Sequence, residues 1–218
     1  MEMGKSVKMA RRKGRTPEMQ LGDVAFAPRI VYLSKEEVER FFAVIPSENV
    51  RDRLLFDAIY RYGLRRREAT LIRVSDVAGD RIWITRLKGS VSGEYPVHPV
   101  TRALLWRYLP TRASASPYLF VTRQSGGGTI SASTIYALFR RYADATLIPR
   151  ERQHPHVLRH SIATHLLNVG WDIADVQDWL GHAEIASTQV YAKVTNKRRE
   201  AKYEEMLLSS AIAANNAS

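Results

Sequence analysis

The fold is decided by residues 81–98, which read RIWITRLKGSVSGEYPVH. Residues 81–87 are rich in β-branched and aromatic side chains, and residues 94–98 can return beside them as a second strand. The glycine and serine content of residues 88–93 is typical of a hairpin loop. These residues predict a small antiparallel sheet in a chain whose other patterns are helical.

Helical patterns flank this hairpin on both sides. Ser34 and Glu37 have the spacing of a capping box, and apolar residues follow on one helical face. A second helix is predicted over residues 49–62, with Gly63 as its stop. Further helices are predicted over residues 68–72, 100–109, 131–145 and from 157 onward, with breaks at Gly170, at Gly181 and near Thr195. The predicted fold class is mainly α with a small antiparallel β-sheet, an α+β fold.

The charge balance predicts a polyanionic partner. The 218 residues carry 33 Lys and Arg against 22 Asp and Glu, a formal net charge of +11. Such an excess suits nucleic acid or an anionic membrane surface. No run approaches the roughly 20 apolar residues of a membrane span, and the first residues lack the apolar core of a signal peptide. We therefore expect a soluble intracellular protein that acts on nucleic acid.

Several chemistries are disfavoured. The chain contains no cysteine, which excludes disulfides and cysteine-based zinc or nucleophile sites, and it has no GxxxxGK[ST] phosphate loop. Asp172, Asp175 and Asp178 fit a solvated helix face better than a metal site. His156 and His160 lie in HVLRH, which lacks the carboxylate of the HExxH zinc motif. We expect no metal and no cofactor.

Three motifs in order along the chain carry a resemblance. Residues 62–68 read YGLRRRE, residues 156–160 read HVLRH, and LGH at residues 180–182 is followed nine positions later by Tyr191. These segments resemble the two arginine boxes and the terminal box of the tyrosine recombinase (phage integrase) family. The resemblance covers about residues 31–200, and the short chain looks closer to the fimbrial-switch invertases within that family.

The resemblance implies the fold of the family's catalytic domain and a set of catalytic residues, namely Arg65, Lys88, His156, Arg159, His182 and Tyr191. It implies a site-specific recombinase that cleaves and rejoins DNA through a covalent 3′-phosphotyrosine intermediate on Tyr191. The arginines would stabilise negative charge on the attacked phosphate, Lys88 on the hairpin would protonate the leaving group, and a histidine would assist the tyrosine. Whether His156 or His182 is the general base stays open.

Three segments are predicted. Residues 1–30 form a basic arm, with a solubilising tail as the alternative; residues 31–196 form the catalytic domain; residues 197–218 form a tail helix. Most family members carry a core-binding domain before the catalytic domain, and here only the arm precedes it. Three expectations stay open: a minimal recombinase, a recombinase that needs a helper DNA-binding protein, or a natural fragment. The resemblance further implies double-stranded DNA as partner, a homotetramer on DNA from chains that are monomers in solution, and a prokaryotic cytoplasm with a plasmid or phage context. The tail would dock on a neighbouring protomer or on its own domain.

Two other functions stay open at this point. A type IB topoisomerase-like enzyme uses a similar arginine, lysine and tyrosine set to nick and reseal one strand. A DNA-binding accessory protein would keep the fold without strand exchange. The target sequence is not predicted, nor is the choice among integration, excision, inversion and dimer resolution.

Overall fold

A computed structural model describes residues 31–87, 89–112, 114–122, 127–181 and 203. The described elements include α1 (Lys35–Ala43), α2 (Val50–Arg61), α3 (Arg66–Ala69), β1 (Val77–Ala78), β2 (Arg81–Ile84), β3 (Gly93–Pro96), α4 (Pro99–Tyr108), α5 (Ala132–Ala143), α6 (His156–Asn168) and α7 (Ile173–Leu180). Short 3₁₀ turns lie at Val74–Asp76, Leu109–Thr111 and Arg150–Arg152. The predicted mainly α fold class with a small antiparallel sheet is confirmed.

The helices begin where local chemistry satisfies their first N–H groups. At α1, the Ser34 side chain accepts from the Glu37 N–H and the Glu37 carboxylate accepts from the Ser34 N–H, which completes the predicted capping box. Ser131 caps α5, and Asp172 caps α7 by accepting from the Asp175 N–H at 2.9 Å. The carboxylate of Asp172 therefore has a structural role at the start of α7.

The predicted hairpin is present, and its strands are shorter than expected. The sheet has the order β1-β2-β3 and is antiparallel throughout. Ile82 lies opposite Tyr95, and Trp83 lies opposite Glu94. The short strand β1 was not predicted, because two residues are too few to produce an alternating pattern. One face of the sheet is buried, and the other is exposed at Trp83.

A small apolar cluster lies between α6 and α7, and a large core joins helices α1 to α6 to the sheet. Its centre contains stacked aromatic rings: Phe41 of α1 lies 4.6 Å from Phe139 of α5, and Phe56 of α2 meets both rings edge-on. Helix α2 packs against both α4 and α6. The end of α7 also comes close to the C-terminal end of α2, because Trp179 Nε1 donates to the carbonyl oxygen of Arg61 at 2.8 Å. Within the described ranges, no helix is both long and apolar enough to cross a bilayer.

The predicted segment boundaries stay predictions. The arm at residues 1–30 lies outside the described residues, and of the tail at 197–218 only Tyr203 is described.

Candidate active site

The turn between α2 and α3 places Arg65. Helix α2 ends at Arg61, and Gly63 then adopts a left-handed φ of 57°. A Cβ on Gly63 would collide with the side chain of Leu180 at the end of α7. Glycine is therefore required here both for the backbone angle and for the close approach of α7. The turn leaves Arg65 extended, as the residue that precedes α3.

Glu68 holds Arg65 in a fixed orientation. The backbone N–H of Arg65 donates to Glu68 Oε2 at 2.9 Å, and Arg65 Nη1 donates to Glu68 Oε1 at 2.8 Å. Arg65 Nη1 also donates to the hydroxyl of Ser90 in the hairpin loop at 2.6 Å. The Arg65 side chain remains 34% exposed, whereas that of Glu68 is fully buried. The guanidinium is thus anchored on one side and open to a ligand on the other.

The ionised form of Glu68 is favoured although it is buried. Burial alone would raise the pKa of Glu68, but hydrogen bonds from Arg65 and the charges of Arg86 and Arg159 outweigh it, so the pKa lies below its usual value. A carboxylate that is ionised at neutral pH therefore lies among three arginines.

Arg86 is the second partner of this carboxylate. Its side chain has no exposed surface, and Nη1 donates to Glu68 Oε2 at 3.1 Å. Its Nη2 donates to the carbonyl oxygens of Tyr62 at 2.8 Å and Trp179 at 3.0 Å and to the hydroxyl of Tyr95 at 3.1 Å. Arg86 thus connects β2 and the hairpin loop, the turn after α2 and the end of α7.

Arg159 reaches the same turn from α6. Its Nη1 donates to the carbonyl oxygen of Gly63, and its Nη2 donates to that of Leu180 at 3.1 Å. Only 2% of Arg159 is exposed. The Gly63 carbonyl also accepts from Arg86 Nη1 at 3.4 Å. Arg65 and Arg159, which are far apart in sequence, therefore lie around one turn of backbone.

His156 begins α6 one turn before Arg159, and its ring meets that of His160 edge-on at 4.6 Å. Burial, followed by the positive charges of His160 and Arg159, lowers the pKa of His156 to about 3. The residue also keeps an exposed surface, and solvent there moderates the shift without reversing its direction. Burial likewise lowers the pKa of His160 to about 4. Both imidazoles are neutral at neutral pH, and a neutral imidazole can accept a proton.

An open groove of about 500 Å³ lies beside these residues. Cationic and imidazole side chains line much of it, and the guanidinium of Arg66 lies over the ring of Tyr136 at 5.8 Å. The lining residues are Arg65, Arg66, Arg67, Leu87, Tyr136, His154, Pro155 and His156. A groove of this charge attracts an anion, and arginine forks match the oxygens of a phosphate. Within the described part of the chain, no cluster of three His, Asp or Glu side chains suits a metal ion.

The structure brings together three of the six predicted site residues, namely Arg65, His156 and Arg159. Lys88, His182 and Tyr191 lie outside the described residues. Their flanking positions are described: Leu87 lines the groove and donates its N–H to Glu68 Oε1 at 3.3 Å, and Gly181 closes α7. His165, the other histidine of α6, is buried and hydrogen-bonds through Nδ1 to the Tyr60 hydroxyl at 2.8 Å, which is a packing role.

Sequence reasoning missed Glu68, Arg86 and Ser90 as parts of this site. A signal for Arg86 was available, since burial alternates along the hairpin and Ile82, Ile84 and Arg86 all point inward. A charged residue at an inward position predicts a buried partner. Nothing in the local pattern identified Glu68 as that partner, because it lies 18 residues away.

Comparison with known proteins gives a consistent result. The model of the phage integrase family matches residues 31–198. The chain is 36% identical over 185 residues to tyrosine recombinase XerA of Pyrococcus furiosus, covering 83% of this chain and 63% of that protein. It is 40% identical over 167 residues to tyrosine recombinase XerA of Thermococcus onnurineus, covering 75% of this chain and 58% of the relative.

Solved structures show the same likeness. The crystal structure of XerA recombinase superposes with a TM-score of 0.69 at 28% identity, covering 81% of this chain and 65% of that chain. The crystal structure of XerH site-specific recombinase bound to difH substrate, a pre-cleavage complex, gives a TM-score of 0.64 at 26% identity. The match covers 74% of this chain and 50% of that chain. The chain spans 58% to 63% of the length of the first XerA relatives it matches.

Proposed function

We propose, from the premise that this chain belongs to the phage integrase family, that it is a site-specific recombinase cleaving and rejoining double-stranded DNA. The observation that carries the proposal is the convergence of Arg65 and Arg159. One anchors on Glu68 and the other on the carbonyl of Gly63, and both lie close enough to His156 to lower its pKa. Two fixed guanidinium groups beside an open cationic groove suit the phosphate of a DNA backbone.

The proposed reaction is a transesterification at that phosphate. The phenolic oxygen of Tyr191 attacks the phosphorus, a Tyr191 Oη–P bond forms, and the bond from phosphorus to the 5′ oxygen breaks. The products are a 3′-phosphotyrosine and a free 5′-hydroxyl strand end. Attack by a 5′-hydroxyl on the phosphotyrosine reverses the step, and no external energy is consumed because the bond energy is retained in the intermediate.

Each catalytic side chain has a proposed role in this step. His156 or His182 takes the phenolic proton, and the neutral state of His156 at neutral pH supports this role. Lys88 gives a proton to the departing 5′ oxygen. The arginines stabilise the charge that develops on the non-bridging oxygens, an effect worth about 10²–10³ in rate per donor in comparable oxyanion sites. The proposed chemistry uses no metal ion and no cofactor.

DNA binding is proposed to follow the same groove. Arg66 and Arg67 lie beside Arg65 in its wall, where they would contact backbone phosphates on either side of the cleaved one. Binding through phosphates releases counterions, so the affinity falls steeply with salt.

Assembly belongs to the proposal as well. We propose a homotetramer on DNA formed from chains that are monomers free in solution, with residues 197–218 as a tail helix that passes between protomers and residues 1–30 as a DNA-binding arm. The catalytic domain at residues 31–196 is the unit that acts on the phosphate. A helper DNA-binding protein would add further contacts with DNA.

Trapping the covalent intermediate tests this function. The full chain is incubated with a pool of randomised duplexes, each nicked near its centre so that cleavage releases a short strand and prevents rejoining. We expect a denaturant-resistant protein–DNA adduct, and sequencing the captured DNA would define the target. Y191F is expected to abolish the adduct and leave DNA affinity nearly unchanged.

Tyr203 provides the matched control, since it is exposed in the described structure and Y203F removes the same hydroxyl at another site. Adduct formation by Y191F would place the nucleophile elsewhere. DNA binding by the wild-type chain with no adduct would favour an accessory protein. Relaxation of supercoiled plasmid without a specific site would favour a topoisomerase.

A further inference from the structure

We infer that Arg86 is a positioning residue for strand cleavage: its guanidinium holds the hairpin loop against the end of α7, and Lys88, the proposed general acid, follows Arg86 by two residues in the sequence. This inference rests on the proposed function and adds a residue that lies outside the motifs on which that function is based. The Arg86 side chain has no exposed surface, and its guanidinium donates to groups of this chain at Gly63, Tyr62, Glu68, Tyr95 and Trp179.

Arg86 contacts three separate elements of the fold. Its side chain donates to Glu68, to the carbonyl of Tyr62 and to the carbonyl of Trp179, which belong to α3, the turn after α2 and α7. A planar guanidinium can serve acceptors in several directions at once, whereas an ammonium group at the end of a lysine is a single point of charge. The contact set therefore requires arginine specifically.

Further hydrogen bonds hold the loop closed and against the end of α7. The backbone N–H of Arg86 donates to the Ser92 hydroxyl at 2.9 Å, which closes the loop on itself. The N–H of Val91 donates to the carbonyl oxygen of Gly181 at 2.9 Å. Gly181 has a left-handed φ of 67°, and a Cβ there would lie 2.6 Å from the Val91 carbonyl oxygen and 3.1 Å from Arg86 Nε. Loop and helix end thus meet in direct backbone contact.

Arg65 is tied to the same loop. Arg65 Nη1 donates both to Glu68 and to Ser90 of the loop, and Glu68 is shared with Arg86 and with the N–H of Leu87. A shift of the loop would therefore disturb the anchor of Arg65, and Lys88 belongs to the same loop by sequence. Misplacement of a reacting group by about 1 Å can cost about 10²-fold in rate.

The test separates loss of the general acid from a general loss of structure. R86K keeps the charge and removes the fork. Cleavage is measured on the duplex recovered from the randomised pool, in two forms: one with the natural 5′ oxygen and one with sulfur in that bridging position. A thiolate leaves without a proton, because thiol pKa values, about 8.5 for cysteine, lie far below those of alcohols. The sulfur duplex therefore needs no general acid.

We expect R86K to lose about 10²-fold in cleavage rate on the oxygen duplex, with a loss at least about tenfold smaller on the sulfur duplex. S92A, which removes only the hydroxyl that accepts from the Arg86 N–H, should show the same direction with a smaller loss if R86K folds poorly. Equal losses on the two duplexes in both variants, or wild-type rates on both, would overturn the inference.

R112K is the matched control. Arg112 also holds a loop through backbone carbonyls, donating to those of Leu119 at 3.3 Å and Ser114 at 2.8 Å and to those of Ser116 and Tyr118. The R112K substitution should lower the melting temperature and leave unchanged the ratio of cleavage rates on the oxygen and sulfur duplexes. A changed ratio in R112K would count against a specific role for Arg86. Failure of the wild-type chain to form an adduct would overturn the proposed function itself, whereas an adduct with an unchanged ratio in R86K would overturn this inference alone.

Discussion

Replacing Glu68 with glutamine would remove the negative charge that holds Arg65 and Arg86. The carboxylate accepts from the backbone and side chain of Arg65, from Arg86 Nη1 and from the N–H of Leu87. In E68Q one oxygen becomes an NH₂ group, which would face N–H donors. The variant therefore loses both a charge pair and part of its hydrogen bonding.

The size of the effect follows from burial. The side chains of Glu68 and Arg86 are both 0% exposed, so the charge left on Arg86 has no access to water. Breaking a buried ion pair by removing one partner costs about 3–5 kcal/mol. The carbonyls of Tyr62 and Trp179 still solvate Arg86, and Arg65 is 34% exposed, so we expect the lower end, about 3 kcal/mol in the free energy of unfolding.

Urea denaturation measures this loss. With an m value of about 2 kcal/mol/M, the midpoint should fall by about 1.5 M. E94Q is the matched control, because Glu94 pairs with Arg81 at the same 3.1 Å separation but on the surface, with side chains 54% and 43% exposed. The E94Q substitution should lower the free energy of unfolding by less than about 1 kcal/mol. Equal losses for E68Q and E94Q would refute the argument that burial makes the Glu68 contacts strong.

The pH dependence supplies an independent check. Because the folded pKa of Glu68 is lowered, its stabilising contribution is fully present above the usual value of 4.5 and is lost as the pH falls through the folded pKa. The wild-type chain should therefore lose its stability advantage over E68Q below about pH 4.5, with no change in that advantage between pH 6 and 8. A constant difference down to pH 2 would contradict the assignment.

Three further predictions concern the cap at Asp172, the titration of His156 and the metal requirement of cleavage. D172A should cost about 0.5–2 kcal/mol in unfolding free energy by removing the cap on the Asp175 N–H, and D172N should retain most of that stability, as denaturation would show. The ring of His156 should titrate below the usual midpoint of 6.5 by NMR, since burial and the nearby positive charges lower its pKa; a midpoint at or above 6.5 would contradict the packing around it. Cleavage should keep its full rate in EDTA, and strict dependence on a divalent ion would exclude the proposed metal-free chemistry.

Local patterns predicted the elements well. The capping box at Ser34, the stop at Gly63 and the hairpin around residues 81–98 depend on neighbours within a few residues, and all are present. The predicted family is confirmed, and so is its catalytic-domain fold. The expected likeness to fimbrial-switch invertases stays a prediction.

Contacts between distant segments could not be predicted in the same way. The motifs identified Arg65, His156 and Arg159 as a set because of their resemblance to a family, and no periodicity relates them. The anchor on Glu68 and the burial of Arg86 depend on how α3, the hairpin and α7 pack, and alternation along β2 predicts only that Arg86 points inward.

The sequence by itself determined the helices, the hairpin and the positions of the motifs, because capping, turn chemistry and hydrophobic periodicity act over short stretches of chain. Only the tertiary structure decided that Gly63 carries the carbonyl shared by Arg159 and Arg86 and that the buried carboxylate of Glu68 is shared with Arg86. Such contacts join residues up to 96 positions apart. They depend on the packing of the whole core. A local sequence pattern does not indicate how close two remote residues lie in the folded chain.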